Sequence, residues 1–556
     1  MAIALQQAGR FAEAEKLCRA ILQREPREPQ AIYLLGLNAL ATGRHQRAAE
    51  LLGRTIRLDP SFAPGYLNLG VALAALGRRR EALVQYDEAV ARAPGLAEAH
   101  DCRGRLLREM GEPEAAVASF DRALALRPDD PEILNSRGLA LDALKRHDEA
   151  LAAFDTALAL RPKFPEALCN RGNALNWLKR PEEGLASFDK ALRLRGDFAE
   201  AWCNRGDTLH EQKRLAEALS SFDKAVALKP DFAEAHYGRS LTLLTLGRYR
   251  EGFREYEWRK QRGGYRQPTF SSPLWLGKPN LGGRSLLIYP ELFLGDMLQF
   301  CRYAVLAAAQ GAKVILTVQA PLVALLKTLH PGVAVIEDGQ AAPRFDFHCP
   351  LLSLPLAFGT TLESVPGNAP YLYADPARVA VWKGIIGGDG LKIGICWQGS
   401  GSRPELERSF PLTAFAPLTE LPGVRLICLQ TGFGVEQRPA LPGVEYFDDP
   451  EDTEPRPFVE TAAMMANLDL IITTDTSIAH LAGALGRPTW VALKHVPDWR
   501  WGVVGDTTPW YPTVRLFRQT TPGRWEDVFA AMQSAVDGIY GPTNAPPLTS
   551  IIAPER

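Results

Sequence analysis

Asp475, Thr476 and Ser477 sit at the hinge of the run DLIITTDTSIAHLAGALGRPTWVAL, residues 469–493, after a β-branched apolar stretch and before a small-residue helical pattern. Hydroxyls in that position cap a helix, and the first N–H groups of the helix carry a partial positive charge toward whatever lies in front of them. The arrangement suits phosphate, to which a helix end contributes roughly 0.3–2 kcal/mol. On spacing alone, an ordinary capped helix of an α/β domain is the plainer fit. His480, one turn into the pattern, either supports the loop or is a core histidine. Trp397 and Gln398 end another apolar run, KIGICW; Gln398 can meet a ligand there, whereas Trp397 suits the core. Lys494, His495, Asp498 and Arg500 form a polar loop after the run TWVAL.

These residues need strands to carry them. Short apolar β-branched runs at 285–290, 313–318, 392–397, 424–429, 469–474 and 489–493 alternate with helical stretches such as DMLQFCRYAVLAAAQ and PFVETAAMMANL. Buried strands separated by helices predict parallel, doubly wound sheets. A second start near Lys392, after the glycine-rich IIGGDG, predicts two Rossmann-like halves facing a cleft, with ligands beyond the carboxyl ends of the strands. The expected boundaries are 285–390 and 391–540.

The amino-terminal half follows a different rule. Gly36, Gly70, Gly104, Gly138, Gly172 and Gly206 recur every 34 residues. In step with them come turn residues (Gly9, Gly43, Gly77, Gly111, Lys145, Lys179, Lys213, Gly247), aromatics (Tyr86, Phe120, Phe154, Phe188, Phe222, Tyr256) and closing prolines such as Pro60 and Pro94. The period and pattern resemble tetratricopeptide repeats, in which stacked helix pairs build a core that no single unit can bury. About seven units are expected over residues 1–257, as an α-solenoid. Residues 258–284 break the pattern, and Trp258 and Trp275 point to an ordered connector.

The run DTSIAHLAGALGRP resembles the donor-site motif of the heptosyltransferase-like glycosyltransferases (glycosyltransferase family 9). LGDMLQFCRY, IGICWQGS, RSFPLTAFAPL and the terminal HVPDWRWG…TPWYPTVRLFRQ follow in the family's order, over about residues 283–539. The resemblance implies a GT-B fold of two Rossmann-like domains. It implies that Asp296 is the general base, taking the proton of an acceptor hydroxyl; as a plain structural residue, Asp296 would be a helix N-cap. Arg408 is expected to neutralise a phosphate leaving group. Asp475, Thr476, Ser477, His480, Gln398, Lys494 and Asp498 are expected on the donor side, with one or two of the polar-loop residues touching the nucleotide sugar. The repeats resemble those of protein O-glycosyltransferases, in which similar asparagines grip an acceptor peptide; Asn68, Asn170 and Asn204 stand in that place, but Cys102, Ser136 and Gly238 interrupt the ladder. Arg103, Arg137, Arg171, Arg205 and Arg239, one residue further along, are expected either to serve acidic partners or simply to suit the packing of the repeats. One departure lies at the first turn. Relatives read Glu-Gln-Gly-x-Gly-Asp, and this chain reads Glu291-Leu292-Phe293-Leu294-Gly295-Asp296.

Composition excludes several classes. With 63 basic and 64 acidic residues the formal charge is −1, so whole-chain electrostatics give no reason to expect nucleic acid. Eight cysteines without a CxxC pair fit a reducing compartment, no apolar run reaches the roughly 20 residues of a membrane span, and a cytoplasmic location is expected. No DxD motif is placed for a metal–diphosphate; Asp448-Asp449 opens an acidic, proline-rich loop, so metal-independent chemistry and no cofactor are expected. Residues 541–556 read as a disordered tail. The expected function is an inverting glycosyltransferase moving a sugar from a nucleotide sugar to a Ser or Thr hydroxyl of a protein, flagellin-like, held by the repeats. Two alternatives are a repeat scaffold with a degenerate transferase domain and a transferase acting on a lipid-linked or polysaccharide glycan.

Overall fold

A computed structural model describes residues 1–265, 268–291, 293–399, 407–448 and 457–540. Leu292, Asp449 with most of the acidic loop, and the tail 541–556 lie outside the described residues. The chain forms two compact units, Met1–Thr208 and Leu209–Arg556, whose division falls inside helix Ala199–Glu211.

The first unit is helical throughout. Helices of 13 and 14 residues alternate, as in Ala63–Ala75 and Arg79–Arg92. Each pair turns on a left-handed residue: Gly43, Gly77 and Gly111 at φ 71°, 75° and 82°, then Lys145 and Lys179 at 61° and 59°. The period-34 glycines let helices approach. A Cβ on Gly70 would lie 2.5 Å from the Tyr86 ring, and one on Gly138 would lie 2.5 Å from Phe154. The aromatic sixteen residues on therefore fills the space a side chain would need, and Phe120, Phe154 and Phe188 are fully buried.

The second unit begins with the remaining repeat helices, Leu215–Leu228, Ala233–Thr245 and Tyr249–Tyr256. The segment after them is ordered where described: Trp258 stacks on His236 at 4.0 Å, and Trp275 is buried edge-on to Phe358. Two parallel sheets follow. The first has β1 (Ser285–Tyr289), β2 (Lys313–Val318), β3 (Val333–Glu337) and β4 (Phe347–Pro350), in the order β3-β2-β1-β4. The second has β5 (Leu391–Cys396), β6 (Val424–Cys428), β7 (Val444–Glu445), β8 (Leu470–Thr474), β9 (Thr489–Leu493) and β10 (Val514–Arg518), in the order β10-β9-β8-β5-β6-β7. All six strands read from sequence are present, shifted by at most one residue at either end. Strands β3, β4, β7 and β10 are additional.

Each sheet reverses its winding once, between β1 and β4 in the first and between β5 and β8 in the second. The crevices beyond the carboxyl ends at such reversals are where open α/β sheets bind ligands. The strands that flank them, β1, β5 and β8, are buried for most of their length and give these ends a rigid base.

Candidate functional site

The turns after β1 and β8 meet. Helix Leu294–Phe300 begins with Leu294-Gly295-Asp296, and helix Ser477–Ala484 follows Asp475 and Thr476. A Cβ on Gly295 would lie 2.9 Å from His480 Cδ2 and 3.7 Å from Ser477 Cα. The glycine before Asp296 is thus fixed by contact between the two halves, and an alanine there would push them apart.

Asp296 lies in the first turn of its helix, with Oδ2 accepting a hydrogen bond from the Phe293 N–H at 3.3 Å. It therefore caps the helix from within the first turn and is not the N-cap residue itself. Its Oδ1 accepts from Arg500 Nη2 at 2.6 Å. Arg500 also donates from Nη1 to Asp498 Oδ1 at 3.0 Å and from Nε to Gln299 Oε1 at 2.6 Å. Burial pushes the Asp296 carboxyl above the ordinary carboxylate range, and Arg500 opposes that push. For Asp498 burial pulls the same way, but Arg500, a backbone N–H and Arg408 outweigh it and its pKa is lowered.

Asp475 is 4% exposed and accepts from Arg408 Nη1 at 3.0 Å. Burial raises its pKa, against the pull of Arg408. The Thr474 hydroxyl donates to the Arg408 carbonyl, so β8 and the Arg408 segment are tied twice. Thr476 occupies the N-cap position but makes no side-chain cap, contrary to the expected role. Its hydroxyl lies 3.3 Å from that of Thr473, in a polar pair at the strand end. The first N–H groups of helix Ser477–Ala484 are therefore not consumed by that side chain.

His480 is buried, with Nδ1 2.9 Å from the Tyr511 hydroxyl and its ring stacked on Trp501 at 5.4 Å. Burial, helped by Arg500, lowers its pKa to about 3, so it is neutral near pH 7. Gln398 is held by glutamines: its Oε1 accepts from Gln437 Nε2 at 3.1 Å, and its backbone N–H donates to Gln430 Oε1 at 3.0 Å. Trp397 is fully buried in the core of the second half. Lys494 Nζ lies 3.4 Å from Glu407 Oε2. The His495 N–H donates to Gln519 Oε1, which ties that residue to the end of β10.

Sequence reasoning placed Arg500 in a polar loop without seeing that it grips Asp296. Arg302 was missed: buried, it donates to the Pro366 and Trp510 carbonyls and to the Tyr371 hydroxyl. The only local signal for Arg500 is its place between two tryptophans, in Asp498-Trp499-Arg500-Trp501. Among the described residues, no group of three His, Cys, Asp or Glu side chains could hold a metal ion. A separate hollow of about 470 Å³ lies against β1 and β2, walled by Tyr265, Phe270, Tyr289 and Phe345 with Glu291 and Asp338.

On the repeats, the three asparagines donate back along the array: Asn68 Nδ2 to the Tyr33 hydroxyl at 3.0 Å and to the Pro64 carbonyl, Asn170 to Asn135 Oδ1 at 2.9 Å, and Asn204 to Cys169 Sγ at 3.4 Å. All three are only partly buried. The arginines expected for acidic partners have internal ones. Arg103, Arg137, Arg171 and Arg205 pair with Asp87, Asp121, Asp155 and Asp189 at 2.6–2.8 Å, and Arg239 pairs with Asp223. Each arginine bridges its helix to an aspartate sixteen residues earlier on the preceding helix, in keeping with the packing reading.

A protein with helical repeats and two parallel α/β sheets meeting at their carboxyl ends is the class these features define. Tetratricopeptide-repeat family models match residues 1–61, 33–97, 103–165 and 199–232, so the amino-terminal part carries such repeats. The protein FlbA of Caulobacter vibrioides is 32% identical over 323 residues, 53% of each chain. The chain thus spans about half the length of this curated relative. Among solved structures, YrrB, a TPR protein with an unusual peptide-binding site, is 21% identical with a TM-score of 0.31, covering 35% of this chain and 97% of its own. The Cut9–Hcn1 hetero-tetramer of APC/C matches at 20% identity and a TM-score of 0.38, covering 44% and 48%. No described helix is long and apolar enough to cross a membrane.

Proposed function

We propose that the second unit is a GT-B-type inverting glycosyltransferase. In this reading it moves a sugar from a nucleotide sugar to a Ser or Thr hydroxyl of a protein recruited by the repeats, without a metal ion. The observation that carries the reading is the meeting of the two turns: the turn that holds the buried carboxylate of Asp296 touches, through Gly295, the start of helix Ser477–Ala484, and Arg408 pairs with Asp475 just before that helix. Asp296 takes the proton of the acceptor hydroxyl as its oxygen attacks the anomeric carbon. The bond from that carbon to the phosphate breaks, and the departing negative charge is met by Arg408 and the N–H groups at the start of helix Ser477–Ala484. The donor's phosphate competes with Asp475 for Arg408, so binding should loosen the 3.0 Å pair. His480, neutral and packed on Gly295, supports the turn and carries no charge to the donor.

Asp296→Asn tests the chemistry. Transfer is expected to fall by about 10²–10⁴-fold, the usual worth of a general base, with donor affinity kept. Undiminished transfer removes Asp296 from the mechanism. A second reading, a repeat-based scaffold whose transferase site no longer works, is favoured by one observation. The site cations Arg408 and Arg500 are already matched by Asp475, and by Asp296 and Asp498, which leaves less unbalanced positive charge for a diphosphate.

A further inference from the structure

We infer that Arg500 is the positioning residue of Asp296, and that the terminal repeat helix, Tyr249–Tyr256, holds Arg500 in place. The proton-accepting role of Asp296 rests on the transferase reading; the way it is held rests on the geometry.

Arg500 is 8% exposed, and its bonds reach three different acceptors on two segments: Asp296 and Gln299 on helix Leu294–Phe300, and Asp498 beside it. A planar guanidinium spreads its donors in a fixed fork over Nε, Nη1 and Nη2, which suits three separated acceptors better than the single nitrogen of an ammonium. The group stands over Trp499 at 4.6 Å and Phe300 at 5.4 Å. Trp499 is wedged in turn from the repeat side. Phe253 meets it edge-on at 5.5 Å and Tyr249 at 5.9 Å. Trp510, eleven residues further along the same loop, donates its indole N–H to the Tyr249 hydroxyl at 3.2 Å. One repeat helix therefore fixes both ends of the loop that carries Arg500.

The groups around Asp296 show why this matters. Asp498 and Glu291 are like charges, the Phe293 N–H acts against burial, Tyr256 on the repeat helix is kept neutral by burial, and His480 across Gly295 is neutral. Arg500 is the cation that opposes burial. Without it, a buried carboxylate takes up a proton. A protonated Asp296 cannot accept another from a hydroxyl, so aiming and ionisation both depend on Arg500. The aromatic seat joins the repeats to the chemistry through the residues of a single helix.

The test is an infrared titration of the full-length protein, reading the Asp296 carboxylate as the difference from Asp296→Asn, in the wild type, Arg500→Gln, Arg500→Lys and Phe253→Ala. It is run beside the pH profile of turnover of whichever ADP-, CMP-, UDP- or GDP-sugar binds. In Arg500→Gln the midpoint is expected to rise by at least one pH unit. The acidic limb of kcat should follow it while the KM for donor stays within about twofold. Arg500→Lys should show a smaller rise, and Phe253→Ala a rise in the same direction. An unmoved midpoint in Arg500→Gln overturns the inference; if that variant does not fold, an unmoved midpoint in Arg500→Lys does so. A shifted midpoint in a protein that turns over no nucleotide sugar supports the inference and counts against the transferase reading alone.

Discussion

At the scale of single residues, the buried imidazole of His480 links the site to acid stability. Its folded pKa of about 3 lies below the ordinary 6.5. Below pH 6.5 the unfolded chain therefore binds a proton that the folded chain refuses, and stability falls as pH drops from 6.5 toward 3. The loss is about 1.4 kcal/mol per pH unit, hence about 2 kcal/mol by pH 5. Asp296 and Asp475, both raised by burial, act in the opposite sense as pH falls toward their folded values, so the difference between variants is the clean quantity. Urea unfolding of wild type and His480→Gln at pH 7 and pH 5 should show the wild type losing about 2 kcal/mol relative to the variant. Equal pH slopes would mean that His480 titrates normally in the folded protein. Part of the candidate site is visible in the sequence at this scale. Asp475, Thr476 and Ser477 stand out because strand-end and helix-start residues are written contiguously in the chain, whereas Asp296 stands out only through the family resemblance. The pairing of Arg500 with Asp296 spans 204 residues, and no local pattern encodes such a distance.

At the scale of elements, the repeat turns carry a strain that the sequence displays openly. Lys145 takes φ 61° where Gly43, Gly77 and Gly111 take 71–82° at the same place in earlier repeats. A Cβ in this left-handed region meets the following carbonyl and costs about 1–2 kcal/mol, partly offset by the lower unfolded-state freedom of a non-glycine residue. Lys145→Gly is therefore expected to stabilise the protein by about 0.5–1 kcal/mol, and Gly111→Lys to destabilise it by a similar amount, read from chemical-denaturation midpoints. A destabilising Lys145→Gly would show that the lysine earns its place through contacts of its side chain. Repeats were legible because 34-residue spacing repeats every packing constraint several times over. The six strands found in advance are apolar runs of five or six residues. Three of the four others are shorter or diluted: β7 has two residues, β4 is the four-residue FHCP, and β10 alternates arginine into VRLFR. The fourth, β3, the five-residue VAVIE, is as long and apolar as those six, but only its first residue is buried.

At the scale of the whole molecule, the division between Thr208 and Leu209 puts the last repeats in the same compact unit as both sheets. The period-34 pattern cannot show this, since it runs through the division without a change of spacing. Within the second unit, helix Tyr249–Tyr256 packs on the loop that carries Arg500, so the end of the repeats and the candidate site share one core. The central claim is that the two sheets' carboxyl ends form a live donor site. It is tested most directly by calorimetric titration of the full chain with ADP-, CMP-, UDP- and GDP-sugars, beside Asp475→Ala. The account predicts that one nucleotide class binds and that Asp475→Ala alters the binding, because the substitution releases Arg408. Absence of binding across the panel, or binding that Asp475→Ala leaves untouched, would contradict it.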